Sequence, residues 1–302
     1  MKLNLKISYR QVSKPVLFLV LGAISTAIGP FFVEFSSVDA VGNTFYRLLI
    51  GAIFFLAYSL FKNQLFFSTK SFSMCLFAAL ALVLDLAAWN QGILSIGPGL
   101  STVLGNLEVV FLCLIGWFLF REKHSSLLFK MICVIAVGVG MLIFPYFFSV
   151  SSKATWGICL AIGSSFFYSI YLTILKDISI KNPKLNAICM LNWICLLGAF
   201  ILGVFIYLNP HLSFSIPTTN SFYFILINAV LSQIIGWWLI TAGIKYVKLS
   251  ISGVILLLQP ALTFMLDAIL FGKNTQPIQI VGCLVLLAAV AATIRFEKKT
   301  ET

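Results

Sequence analysis

The chain has 302 residues, of which 61% are hydrophobic and only 10% charged, with a mean hydropathy of +1.06. Soluble domains carry roughly 45–50% apolar and about 25% charged residues, so a water-facing globule is excluded. Twenty Lys and Arg against nine Asp and Glu do not point to nucleic acid either, because the basic residues lie in short segments between apolar blocks, without interleaved aromatics.

A spanning helix needs about 20 mostly apolar residues. In chain order the apolar blocks predict ten spans: 15–34, 40–61, 72–94, 98–119, 126–146, 154–175, 185–208, 220–243, 249–271 and 277–295. The stretch MKLNLKISYRQVSK before the first block is basic, but no small-residue cleavage site follows, so that block reads as a span rather than a removable signal. The third and fourth blocks are parted only by Gly97, Pro98 and Gly99, a break of the kind expected between spans. All seven cysteines (75, 113, 133, 159, 189, 195 and 283) fall inside apolar blocks. They are expected to act as small hydrophobes, with no disulfide and no metal spacing.

Orientation follows from the basic residues. With the N-terminus inside, the inner segments hold Lys2, Lys6, Arg10, Lys14, Lys62, Lys70, Arg121, Lys123, Lys176, Lys181, Lys184, Lys245, Lys248, Arg295, Lys298 and Lys299. The outer loops hold only Lys153 and Lys273, a ratio of sixteen to two, with Arg47 and Lys130 left inside spans. A missed or invented span would switch the side of every later loop and destroy that asymmetry. Both termini are therefore expected in the cytoplasm, and the bacterial cytoplasmic (inner) membrane is the expected location.

The chain also repeats itself. A shift of 151 residues lays GILSIGPGLSTVLGNLEVVFLCLIGWFLF (92–120) on GIKYVKLSISGVILLLQPALTFMLDAILF (243–271), with Gly92, Ile93, Ser101, Val103, Leu107, Leu119 and Phe120 meeting identical residues. Two units are expected, 1–150 and 151–302, each with five helices and fused into one transmembrane domain. Two odd-numbered repeats insert with opposite orientations, so the fold class is an all-α polytopic membrane protein built as an inverted repeat.

Ten spans as five plus five, Phe45-Tyr46-Arg47 opening the second span, and the stretch from Gly92 to Arg121-Glu122 resemble the drug/metabolite transporter superfamily, specifically its EamA-type branch. The resemblance covers essentially the whole chain. It implies a transporter of small metabolites, which in that superfamily include amino acids, nucleotide sugars, cationic drugs and S-adenosylmethionine. The family often places a proline in mid-span in the fourth and ninth helices; Pro260 keeps it in the ninth, while the fourth carries Glu108-Val109. The acidic residue that often ends both repeat cores is kept as Glu122, and the second copy has Lys273.

Ionisable groups inside a span cost about 2.5–3.5 kcal/mol or more at its centre, so each is a functional candidate. They are Glu34, Arg47, Asp85, Glu108, Lys130 and Asp267. Lys130 lies one turn into the fifth span and can snorkel as an anchor. Glu34, Arg47 and Asp267 lie toward the outer ends of their spans and are candidates for an outer gate. Glu34, Asp85 or Asp267 can supply a partner for Arg47, which is also the best anion site for a substrate carboxylate or phosphate because its fork is bidentate.

Asp85 and Glu108 are the deep acids. Trp89 follows Asp85 at helical spacing, on the same face. Asn106 stands two residues before Glu108, and Gln259 is its mate in the repeat alignment. In an inverted-repeat carrier the substrate site lies near mid-bilayer between the halves, which makes Glu108 and Gln259 its expected centre and Glu108 the candidate for proton coupling. Tyr168, Asn192, Gln233 and Trp237 are candidates for the wall supplied by the second half. His124 and His211 are loop residues without a nucleophile–base spacing, a phosphate loop or a metal motif. No catalysis, cofactor or metal is expected.

The leading functional expectation is a secondary transporter for an amino acid or another amine-bearing zwitterion, working by alternating access. The alternative is an exporter or exchanger of organic cations, and a third reading is a membrane scaffold that transports nothing. Expected partners are a small-molecule substrate and the lipid bilayer, with no nucleic acid, in a monomer or homodimer.

Overall fold

The computed structural model describes residues 13–62, 69–105, 107–121, 126–144, 152–182, 186–271 and 276–300, and every regular element among them is helical. The first half supplies α1 (Ser13–Thr26), α2 (Gly29–Phe35), α3 (Ala40–Phe61), α4 (Thr69–Ile96), α5 (Pro98–Gly105), α6 (Glu108–Phe118) and α7 (Ser126–Ile143). The second supplies α8 (Ser152–Lys181), α9 (Ala187–Leu208), α10 (Thr219–Asn228), a π-helical segment (Ala229–Gly236) and α11 (Trp237–Ile244). It ends with α12 (Leu249–Leu256), α13 (Leu258–Phe271) and α14 (Pro277–Thr300). Among the described residues eight stretches are long and apolar enough to cross a membrane, and the fifth and tenth predicted spans correspond to two shorter apolar helices, Phe129–Ile143 and Pro277–Ala292.

Local chemistry starts several of these helices. The Asp39 carboxylate accepts from the backbone N–H groups of Val41 at 3.0 Å and Gly42 at 2.8 Å, capping α3. Asn186 caps α9 through the Ile188 N–H at 3.2 Å, and Thr218 caps α10 through the Ser221 N–H at 3.1 Å. Between α4 and α5, Gly97 sits at φ 84°, a left-handed conformation that glycine adopts without strain. It lets the chain reverse within one residue.

Four of the predicted spans are interrupted in the structure. The first span breaks between α1 and α2, where Pro30 lies in the first turn of α2 and the Phe31 N–H bonds the Ile28 carbonyl at 3.3 Å, leaving the Ala27 carbonyl to accept from the Thr263 hydroxyl at 2.7 Å. The eighth widens into the π-helical segment, where the Ser25 hydroxyl donates to the Leu231 carbonyl at 2.6 Å. The fourth and ninth break at matching positions, α5 ending at Gly105 and α12 at Leu256, 151 residues apart. At both the chain tightens to i→i−3 hydrogen bonds, Leu107 N–H to Leu104 O at 3.1 Å and Leu257 N–H to Val254 O at 3.2 Å. Irregular backbone at membrane depth is tolerated only where protein or a cavity surrounds it, so these breaks mark the interior.

The helices pair as α1 with α11, α3 with α9, α4 with α8, α5 with α13, α6 with α12 and α7 with α14. Exchanging the two halves by the 151-residue shift turns this set into itself. The α7–α14 contact is backbone on backbone: a Cβ on Gly282 would lie 2.8 Å from the Gly138 carbonyl oxygen. Small residues permit this close approach. At the opposite extreme of side-chain size, Lys176 is corrected from a loop residue to a buried one within α8. Its ammonium donates to the Val247 carbonyl at 2.6 Å and lies 5.5 Å from the centre of the Phe120 ring, joining three segments of the chain.

Candidate functional site

The helix breaks and the polar in-span residues converge. Arg47 on α3, Asp85 and Trp89 on α4, Glu108 on α6, Tyr168 on α8, Trp237 on α11 and Gln259 on α13 all line one cavity, with about 490 Å³ of atom-free space, its open mouth included. Arg47 is 3%, Asp85 6% and Glu108 4% exposed, so the three charged groups sit away from bulk solvent. In low dielectric each needs a partner or a ligand.

On the acid side, Asp85 Oδ1 accepts from the Ser164 hydroxyl at 2.8 Å. Trp89 stands one turn along α4 from Asp85 on the same cavity wall, as the spacing predicts. Glu108 is the first residue of α6, so its carboxyl lies at the positive end of a half-helix, where a negative charge is favoured. Among the described residues none donates a hydrogen bond to it. Asn106, expected beside it, lies outside the described residues, as do Glu122, His124 and Lys273. Gln259 Oε1 lies 3.0 Å from the Thr26 hydroxyl, which is also 3.0 Å from the Gly22 carbonyl and 3.1 Å from that of Ala23. One hydroxyl proton is shared among those acceptors.

The basic side differs from expectation. Among the described residues Arg47 makes no ion pair with Glu34, Asp85 or Asp267, and the acceptor of its Nε–H is Gln233 Oε1 at 3.1 Å. Gln233 stands behind Arg47 rather than in the cavity wall, and its own Nε2 donates to Cys195 Sγ at 3.3 Å. Arg47 Nη1 is buried and has no hydrogen-bond partner among the described residues. The three outer-gate candidates are not brought together. Glu34 is exposed on α2, whereas Asp267 is buried against α5, its Oδ2 lying 2.5 Å from where a Cβ on Gly99 would stand.

The aromatic wall is a cluster. Trp237 meets Tyr171 edge-on at 4.9 Å and Tyr168 at 5.5 Å, and the two tyrosines stack at 6.5 Å. The hydroxyls of Tyr168 and Tyr171 and the indole N–H of Trp237 are buried without partners among the described residues. Trp238, adjacent in sequence, faces outward at 38% exposure against Phe18. Asn192 is buried on α9 away from the cavity wall, with both amide atoms unpartnered among the described residues.

Sequence reasoning missed Thr26, Thr102 and Ser164, which also line the cavity. Small hydroxyls are common between packed membrane helices, so nothing in their spacing separates them from packing polar groups. The assembled site offers a free guanidinium edge and aromatic N–H and O–H donors, two carboxyls, an amide and flat aromatic faces. It can hold a cationic and an anionic group together. Among the described residues no grouping of His, Cys, Asp and Glu is suited to a metal ion.

Comparison with known proteins supports the same architecture. A crystal structure of another protein superimposes with a TM-score of 0.75, covering 96% of this chain and 99% of that one at 13% sequence identity, which shows a shared fold. Among curated proteins none matches the sequence. The model of the EamA-like transporter family matches twice, over residues 13–144 and 155–295. The two matches cover nearly the whole chain and meet the two halves that pair in the fold, so the chain belongs to the EamA-like transporter family and is a multi-pass membrane transporter of the drug/metabolite type.

Proposed function

We propose that the protein is a secondary transporter of a small zwitterion of the amino-acid class. The observation that carries this reading is the cavity's composition: Arg47, whose buried Nη1 has no partner among the described residues, shares it with Asp85 and Glu108. A carboxylate seated on Arg47 satisfies that guanidinium edge through charge-assisted hydrogen bonds. An ammonium group then meets the carboxyls, and an apolar side chain rests against Trp89, Tyr168 and Trp237.

The movement proposed is alternating access, ten spans in two inverted five-helix halves rocking about the site, with both termini in the cytoplasm of a bacterial cell. Coupling is assigned to Glu108. When all are ionised, one guanidinium and two carboxyls leave the cavity with one net negative charge. A proton on Glu108 makes the site neutral for a neutral zwitterion.

Thermal stabilisation of the purified protein by a panel of L-amino acids, amines, nucleotides and organic cations tests the reading. Stabilisation by an amino acid, lost in Arg47→Gln, is expected. A second reading, transport of organic cations, draws on the three aromatic rings beside two carboxyls, a setting that attracts cations. Organic cations that stabilise wild type and Arg47→Gln alike, with no response to amino acids, would establish that alternative. Flux into proteoliposomes with and without a pH gradient tests coupling, and equal rates would remove Glu108 from that role.

A further inference from the structure

We infer that Gln233, which does not line the cavity, is the positioning residue that aims Arg47 and thereby makes a substrate carboxylate necessary; this rests on the zwitterion reading above. A buried arginine has five N–H donors and many rotamers, and its direction is set by whatever accepts from it. Here the acceptor is a neutral amide, Gln233 Oε1, at 3.1 Å from Nε. A carboxylate in that place would neutralise the guanidinium. The amide fixes its direction and leaves the charge intact for a ligand, with Nη1 free of any partner among the described residues.

Two further features hold Gln233 in place. Its Nε2 donates to Cys195 Sγ at 3.3 Å, which assigns the oxygen to Arg47 and the nitrogen to α9. Gly51 stands one turn along α3 from Arg47, and a Cβ there would lie 2.8 Å from Gln233 Cγ and 3.5 Å from Cys195 Sγ. A side chain at position 51 would push Gln233 off the guanidinium. Gln233 itself lies inside the π-helical segment Ala229–Gly236. Such segments change which residues share a face, and they recur at functional sites. The position that matches Gln233 in the first half is Leu82, on the regular helix α4, so the repeat does not copy this support there.

The experiment compares each L-amino acid that stabilises the wild type with the amine that lacks only its carboxyl group, by calorimetric titration of full-length protein. Wild type should bind the amino acid more tightly. Gln233→Met, of similar shape but without the acceptor, should lower that preference by about tenfold or more, as expected when one hydrogen bond to a charged group is lost. The amine's own affinity should stay unchanged, which a merely structural defect would not allow. Gln233→Glu, which neutralises Arg47, should also lose amino-acid binding, and Gly51→Ala should reproduce the Gln233→Met result with both polar residues intact. An undiminished preference in Gln233→Met or Gly51→Ala overturns the positioning role alone. No preference in the wild type overturns the zwitterion reading and this inference together.

Discussion

The α5/α6 break and the α12/α13 break fall at matching positions in the two halves, yet they are built from different residues. The second has Pro260 as the third residue of α13; the first has Val109 at that position and breaks all the same. Proline is therefore not what the geometry requires. What differs is the chemistry presented at the break: Glu108 in one half and Gln259 in the other, both lining the cavity. The same backbone feature offers a titratable group on one side and a neutral amide on the other, which gives a near-symmetric scaffold an asymmetric site.

Three measurements break or sharpen this comparison, beside those proposed above. The largest effect is expected from Glu108→Gln, which makes the two breaks alike. Acceleration of flux by a pH gradient should be lost altogether in proteoliposomes, because the amide holds the neutral state that the proton gives Glu108 and has no proton to release. A flux that still responds to the pH gradient in this variant would remove Glu108 from the coupling role. Thr26→Val deletes the hydroxyl 3.0 Å from Gln259 Oε1 and leaves that oxygen free to turn. A loss of about 1 kcal/mol in ligand binding, a few-fold in Kd, is expected from one neutral hydrogen bond. Pro260→Ala should do least. A proline in a helix's first turn removes a donor that has no intrahelical partner there, so the melting temperature should move by no more than about 1 kcal/mol of stability implies. A collapse of stability would show that the second break, unlike the first, depends on its proline.

Much of the scaffold is legible in the sequence because hydropathy and loop charge report depth directly. The 151-residue shift even pairs Glu108 with Gln259 before any coordinates exist. Helix rotation is not legible in this way. An interior-facing polar residue and a packing polar residue look alike in a chain whose exterior is also apolar, which is why Ser164 beside Asp85 escapes notice. The π-helical segment is a change in backbone hydrogen bonding with no residue of its own to announce it, so Gln233 reads as a cavity residue when it stands behind Arg47. Arg47's partner is misread for a simpler reason: charge suggests an acid, and the molecule uses an amide.

The one guanidinium and two carboxyls of the cavity also have an electrical consequence. If a proton on Glu108 accompanies a neutral zwitterion, the loaded site carries no net charge, and its reorientation is indifferent to the membrane potential. The empty, deprotonated site carries one negative charge, and its return feels the field at up to about 2.3 kcal/mol per 100 mV. A potential negative inside then drives the empty site outward, so voltage would set the pace of resetting the carrier rather than of carrying its cargo.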